Sequence, residues 1–266
     1  MRAGAAAALL CVAMLARAQE DENPHDAQPE RPTVATHAFT VAPGWTEIES
    51  GLELDYAGST RVLTTPTTLK LGLAKRWQIE ATAYYVAQSD DGTTSGFGDM
   101  LVALKWRPAD SVPLVGAFAI QTTIRFPTGS AELSNGQMTG ELLLISSNHF
   151  GQFDVDVNFG VFTRLNDNPT APSTATLWTV SAGTTLVGSL GWTWEVFGYP
   201  GTHGSSGSLP TAALLTGPTY QVHPWFVADM GLIVPMDGPQ PHAFYVGLVW
   251  NIGQVWKASG VSAPSR

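Results

Sequence analysis

The chain has 266 residues, of which only 13 % are charged, and a formal net charge of −9. Ordinary soluble domains carry roughly 25 % charged residues, and nucleic-acid binders need a basic footprint, so neither class fits. After the first twenty residues no run reaches the roughly 18 apolar residues of a membrane helix, which leaves strands as the only means of spanning a bilayer.

The N-terminus, MRAGAAAALLCVAMLARA, sets Arg2 before a run of small and apolar residues and ends on Ala16-Arg17-Ala18. That is the pattern of a Sec-type signal peptide cut after Ala18. Residues 1–18 are therefore expected to direct export, and their loss takes the charge from −9 to −11, because Arg2 and Arg17 go with them. Cys11 is the single cysteine and lies inside this leader, so the mature chain has no thiol, no disulfide and no cysteine-based metal site. The next stretch, QEDENPHDAQPERPTVATHA, is acidic, polar and proline-bearing. It predicts a flexible periplasmic N-terminal segment over 19–44, and leaves open whether residues 19–38 plug the lumen or hang in the periplasm.

From Trp45 onward the pattern changes to segments of about ten residues that alternate in polarity, broken by Gly, Pro, Asn, Asp and Ser. Twelve such segments are expected, at 45–56, 61–72, 77–88, 97–107, 115–126, 138–147, 152–163, 175–187, 190–199, 210–221, 224–235 and 242–252. Residues 45–252 then form one unit, and 253–266 a C-terminal tail. In GFGDMLVALKW the positions Asp99, Leu101, Ala103 and Lys105 share one parity, while Met100, Val102, Leu104 and Trp106 share the other. Successive strand residues point to opposite faces, so one face is wholly apolar and the other takes the charges. The same separation recurs along the chain. Asp154, Asp156 and Asn158 oppose Val155, Val157, Phe159 and Val161, and Asp229 opposes Phe226, Ala228, Met230, Leu232 and Val234.

Three features place the apolar face outside. The segments are long, as tilted membrane strands are, whereas the average soluble strand has about five to six residues. Short connections near 73, 148, 188 and 222 fall on one side and long Gly/Ser/Asn-rich ones on the other, the asymmetry of outer-membrane barrels; the connections 57–60 and 108–114 fit it less well. Trp45, Tyr56, Trp77, Trp106, Phe126, Trp178, Trp192, Tyr199, Tyr220, Trp225 and Trp250 sit at or near segment ends, as interfacial girdles do. The expected fold is an all-β, antiparallel, up-and-down transmembrane barrel of about twelve strands in the outer membrane of a Gram-negative-type bacterium.

In such a barrel the charged parity lines the lumen. The expected lumen set is Glu47, Glu49, Glu53, Asp55, Lys70, Glu80, Asp99, Lys105, Arg125, Glu141, Asp154, Asp156, Glu195 and Asp229, with Arg107 and Arg164 as further basic members. Acidic members outnumber basic ones. This is consistent either with a salt-bridged interior or with a cation-preferring pore, since rings of carboxylates concentrate cations. No catalytic, metal or cofactor set emerges. Gly96-x-Gly98 is too short for a dinucleotide fingerprint, and the six histidines have no metal-ligand spacing. Ser147 and His149 share a face, but a nucleophile needs a base and an orienting group. HGSSGS at 203–208 lacks the Gly-x-Ser-x-Gly elbow.

Several stretches are similar to the outer-membrane "transporter" family labelled for the MetA-pathway of phenol degradation. RPTVATHAFTVAPGWTEIESGLELDY resembles its opening strand and TPTTLKLGLAKRWQIEATA its second hairpin. GFGDMLVALKW resembles its Gly-x-Gly-Asp turn, IQTTIRFPTGS its strand ending in Pro-Thr-Gly, and WFVADMGL with HAFYVGLVWNI its closing hairpin. One departure is that GQVWKASGVSAPSR follows Ile252, where such barrels commonly end on an aromatic residue that assembly machinery reads. The resemblance implies an outer-membrane barrel that takes up small, often hydrophobic or aromatic, compounds. The expected function is therefore passive passage of small solutes through an acid-rich lumen, without enzyme activity or cofactor. The expected partners are outer-membrane lipid, a small-molecule solute and the barrel-assembly machinery. A closed barrel that displays surface loops is the alternative reading, and a lipid enzyme built on Ser147 and His149 a remoter one.

Overall fold

The computed structural model describes residues 23–89, 92–134, 136–166, 172–203 and 207–257. The expected signal peptide with Cys11, the centre of the HGSSGS loop and the end of the C-terminal tail lie outside the described residues.

Thirteen strands follow one another: β1 (Trp45–Ala57), β2 (Thr60–Ala74), β3 (Trp77–Ser89), β4 (Thr93–Phe97), β5 (Met100–Val112), β6 (Gly116–Phe126), β7 (Thr139–Phe150), β8 (Phe153–Arg164), β9 (Thr174–Val187), β10 (Leu190–Tyr199), β11 (Thr211–His223), β12 (Phe226–Asp237) and β13 (His242–Gln254). All pairings are antiparallel between neighbours, and β1 pairs with β13 from Trp45↔Gln254 to Tyr56↔His242. That last pairing closes the sheet into a barrel and leaves β1 and β13 without a free edge.

Twelve strands make the ring. The extra one, β4, comes from a break in a wall strand. The outer half of β3 pairs with β4 (Tyr85↔Phe97), and its inner half pairs with β5 (Thr82↔Leu101). The two pairings differ in register by one residue, so Gly98 and Asp99 form a bulge. The expected segment 97–107 is thus the middle of a longer strand. At its other end β5 runs on to Val112, which reduces the ill-fitting 108–114 connection to a turn of residues 113–115. Every turn at the end of the barrel that carries Trp45 and Gln254 is then two or three residues long. We call this the near end. Four of these turns hold a left-handed residue: Arg76 (φ +71°) and Leu114 (φ +68°) adopt it despite their side chains, whereas Gly151 (φ +65°) and Gly188 (φ +57°) do so with no Cβ to place.

Alternation decides what each face meets. Leu52, Trp77, Trp106, Leu142, Leu144, Phe159, Trp178, Met230, Leu232, Phe244 and Trp250 are exposed on the outside. Trp77 and Trp106 stack at 5.4 Å across the β3–β5 pair. So large an exposed apolar belt is foreign to a monomeric soluble protein. The opposite parity is buried inside, and the core of the molecule is the interior of the barrel.

What fills that interior departs from expectation. The segment anticipated as a flexible tail runs from residue 23 to 44 inside the near half of the barrel, with Ala35, Ala38 and Val41 buried at 2 %, 0 % and 0 % exposure. RPTVATHAFTVAPGW is likewise not an opening strand until Trp45. Its backbone N–H groups are held by side chains of the barrel wall, and that lets irregular chain sit away from water.

Candidate functional site

The plug follows a looped path inside the near half of the barrel. It enters at the near end, where the His25 ring lies 5.0 Å from Trp45 and 5.8 Å from Trp225, and His25 Nε2 contacts the Asn251 carbonyl at 3.0 Å. It rises along β1. The Gln28 N–H donates to Glu47 (2.7 Å) and the Glu30 N–H to Glu49 (2.7 Å). It then crosses the lumen. Val34 and Ala35 N–H groups donate to the two carboxyl oxygens of Glu195 at 2.8 and 2.6 Å, the Thr36 N–H to Asn158 Oδ1 at 2.7 Å, and the Ala38 N–H to Ser147 Oγ at 2.8 Å. It returns over β3, where the Val41 N–H donates to Gln78 Oε1 at 2.6 Å. Pro43 finally bridges to Gly72 just before β1 begins.

Two lysines anchor the ascending part. Lys70 Nζ lies 3.0 Å from Glu47, 2.5 Å from Glu49 and 3.8 Å from Glu30, and donates to the Gln28 carbonyl. Lys105 pairs with Glu30 and donates to Thr36 Oγ1 and the His37 carbonyl. Both ammonium groups are fully buried. A buried charge without a partner costs several kcal/mol, so the plug's Glu30 and His37 carbonyl, together with the wall's Glu80 at 4.0 Å, allow Lys105 to sit there.

Arg31 marks the top of the climb. Its guanidinium reaches Asp229 at 3.3 Å. It lies on a floor made by Gly51 and Gly247, which are directly paired across β1 and β13. A Cβ on Gly51 would fall 2.6 Å from Arg31 Nη2, and one on Gly247 would strike the same guanidinium. Here glycine is required by close approach rather than by backbone angle.

The lumen wall is two-sided. Beyond the polar sector, Leu143, Ile145, Leu177, Ala117 and Ala119 form an apolar patch around Ala38, against which Val34 and Phe39 pack. Phe197, Leu215, Ile233, Ala243 and Tyr245 form a second patch that also receives Val34. The wall thus binds the plug's side chains by burial and its backbone by hydrogen bonds.

Of the expected lumen residues, Glu47, Glu49, Lys70, Glu80, Lys105, Glu195 and Asp229 are buried around the plug. Asp156 accepts from Ser147 Oγ at 2.5 Å, just behind the plug contact. Glu53, Asp55, Arg125 and Glu141 lie in the far half, beyond it. Asp154 is exposed at the near rim, 2.8 Å from His149 Nδ1. Asp99 sits at the β4–β5 bulge and accepts the Gly129 N–H at 3.1 Å, while the Ser130 N–H donates to the Phe97 carbonyl. The Gly-Phe-Gly-Asp and Pro-Thr-Gly-Ser stretches therefore dock on one another. Ser147 is engaged by Ala38 and Asp156, and His149 by Asp154, so the structure does not bring that pair together.

Sequence reasoning missed Glu30, Arg31, Thr36 and the Gly51–Gly247 floor; it set Gln78 and Asn158 on the polar parity but gave them no role. The one available signal was a lone arginine followed by Val34, Ala35, Ala38 and Phe39 within an otherwise acidic tail.

No family model matches the sequence, so the phenol-degradation label has no support beyond the resemblance. No curated protein matches it either. Solved structures do match. The COG4313 outer membrane channel from Pseudomonas putida F1 superimposes with a TM-score of 0.59 at 15 % identity, covering 86 % of this chain and 98 % of that one. A KdgM porin gives 0.51 at 10 % identity over 77 % and 98 %. The CymD monoaromatic hydrocarbon channel gives 0.50 at 11 % identity over 80 % and 90 %. At these identities the likeness establishes the fold, a closed antiparallel β-barrel of the outer-membrane type.

Proposed function

We propose that this protein is an outer-membrane channel for small solutes, whose near half is closed by its own residues 23–44. The observation that carries the reading is the combination of an apolar outer belt with a lumen whose near half is occupied by a segment that is not part of the wall. That segment is held by backbone hydrogen bonds, by the ion pairs of Glu30 and Arg31 and by apolar packing, all non-covalent contacts. A barrel meant to be permanently shut can fill its interior with wall side chains, as eight-stranded barrels do. In this reading residues 1–18 direct export, 45–252 span the membrane after insertion by the barrel-assembly machinery, and the plug yields during passage. The acid-rich lumen acquires a different role: its near-half carboxyl groups hold the plug rather than forming a bare cation-selective ring. The far half keeps Tyr84, Tyr199 and Phe162, surfaces suited to the small aromatic solutes that the family resemblance implies.

The many plug contacts also favour a second reading, a closed scaffold whose outer loops carry the function. Planar-bilayer conductance of the full chain against an Arg31→Ala/Glu195→Ala variant separates the two. The channel reading expects rare steps from the native protein and frequent steps from the variant. A silent variant that is correctly folded supports the scaffold.

A further inference from the structure

The far half of the lumen contains a feature that the plug does not use. Arg125 on β6, Thr139 on β7 and Arg164 on β8 are in direct register, Arg125↔Thr139 and Thr139↔Arg164. Residues opposite one another in a ladder share a face. The two arginines therefore stand on the same inner face, two strand spacings or roughly 10 Å apart. Between them opens a cavity of about 200 Å³, whose lining includes Arg125, Gln137, Thr139, Phe162, Arg164 and Ala175. Arg125 is exposed to it, and Gln137 is 1 % exposed at its floor.

The chemistry of this lining is specific. Two arginines line one space, and a guanidinium presents a planar fork that matches a carboxylate in two parallel hydrogen bonds. Phe162 and Ala175 supply apolar wall beside them, and Thr139 a hydroxyl. Glu141, the nearest carboxyl group on β7, lies one inward-facing position deeper, so charge changes sign along the path into the barrel. Glu53 and Asp55 stand on β1, across the ring from β7. A solute with a negative head and a small apolar body meets its complement on the β6–β8 wall.

We propose that this cavity is an entry subsite for small organic anions, monocarboxylates with an aromatic or short aliphatic body. The proposal names a solute class for the channel reading and rests on it, but binding at the subsite is measurable without passage.

The test is isothermal titration calorimetry of the full chain in detergent with benzoate, and with benzamide as the neutral isostere. The expected result is saturable benzoate binding, at least about tenfold tighter than benzamide. Arg125→Gln should weaken it about tenfold, as the loss of a charge-assisted contact implies, and Arg125→Lys should recover part of the loss. Heat-modifiable migration confirms that each variant is folded, and Arg125 is exposed at the mouth, so its replacement does not disturb the wall. Equal binding of benzoate and benzamide, or benzoate binding unaffected by Arg125→Gln, overturns the proposal. Benzoate binding of the expected pattern in a barrel that never conducts upholds the subsite and removes the channel reading; conduction without benzoate binding does the reverse.

Discussion

Glu195→Ala is the sharpest perturbation of the plug. The side chain is 1 % exposed and accepts two adjacent backbone N–H groups, from Val34 and Ala35, at 2.8 and 2.6 Å. A net hydrogen bond contributes about 1–1.5 kcal/mol, and a buried donor left unsatisfied costs about 1–3 kcal/mol. The alanine leaves two donors without their acceptors, and water entering the vacated space recovers part of the loss. The docking of the plug should therefore weaken by about 2–3 kcal/mol. At about 1.4 kcal/mol per factor of ten, the undocked fraction rises roughly 30- to 150-fold. The chain offers a clean reporter, since its only cysteine is Cys11. In a Cys11→Ser background, Ala35→Cys places a thiol at a position that is 2 % exposed. Its labelling by a water-soluble maleimide should be slow in the parent and faster by one to two orders of magnitude with Glu195→Ala. An unchanged labelling rate in a folded variant would refute the claim that these two hydrogen bonds hold the segment.

Two further outcomes follow from the same geometry. Gly247→Ala puts a methyl group against the Arg31 guanidinium, whose atoms are the three nearest to it, so it should break the Arg31–Asp229 pair before it disturbs the wall. Loss of about 1 kcal/mol of docking would speed Ala35→Cys labelling about fivefold, and adding Arg31→Ala should bring no further change. On the outside, Met230 lies in the middle of β12 on the apolar face, 48 % exposed. Met230→Arg should destabilise the barrel by about 2–4 kcal/mol in urea titrations performed in lipid vesicles. A change below about 0.5 kcal/mol would mean that this face does not meet hydrocarbon.

The wall was legible because its determinants are local. A period of two over ten residues assigns each face, and the parity that carries Asp99 and Lys105 is the one found inside. The β4–β5 break escaped notice because a one-residue bulge keeps the alternation on either side and shows only as Gly98-Asp99. The plug was illegible for a different reason. Much of its docking uses main-chain N–H groups, which every residue has, and acceptors far away in sequence; Thr36 and Asn158 are 122 residues apart. An acidic, proline-bearing composition describes a flexible chain and a lumen-bound chain equally well. The acid-rich wall was visible, but the counter-groups that occupy it were not, so a pore lining and a docking surface looked alike.

The central claim is that residues 23–44 are the gate of a channel. The direct measurement is single-channel conductance of Ala38→Cys/Ser147→Cys in the Cys11→Ser, Glu195→Ala background, before and after reduction. The Ala38 N–H donates to Ser147 Oγ at 2.8 Å, which sets the two positions side by side for a disulfide between plug and wall. The account predicts a silent barrel when oxidised and discrete steps once the bond is reduced. Equal conductance in both states, or silence in both with the plug shown to be released, would contradict it.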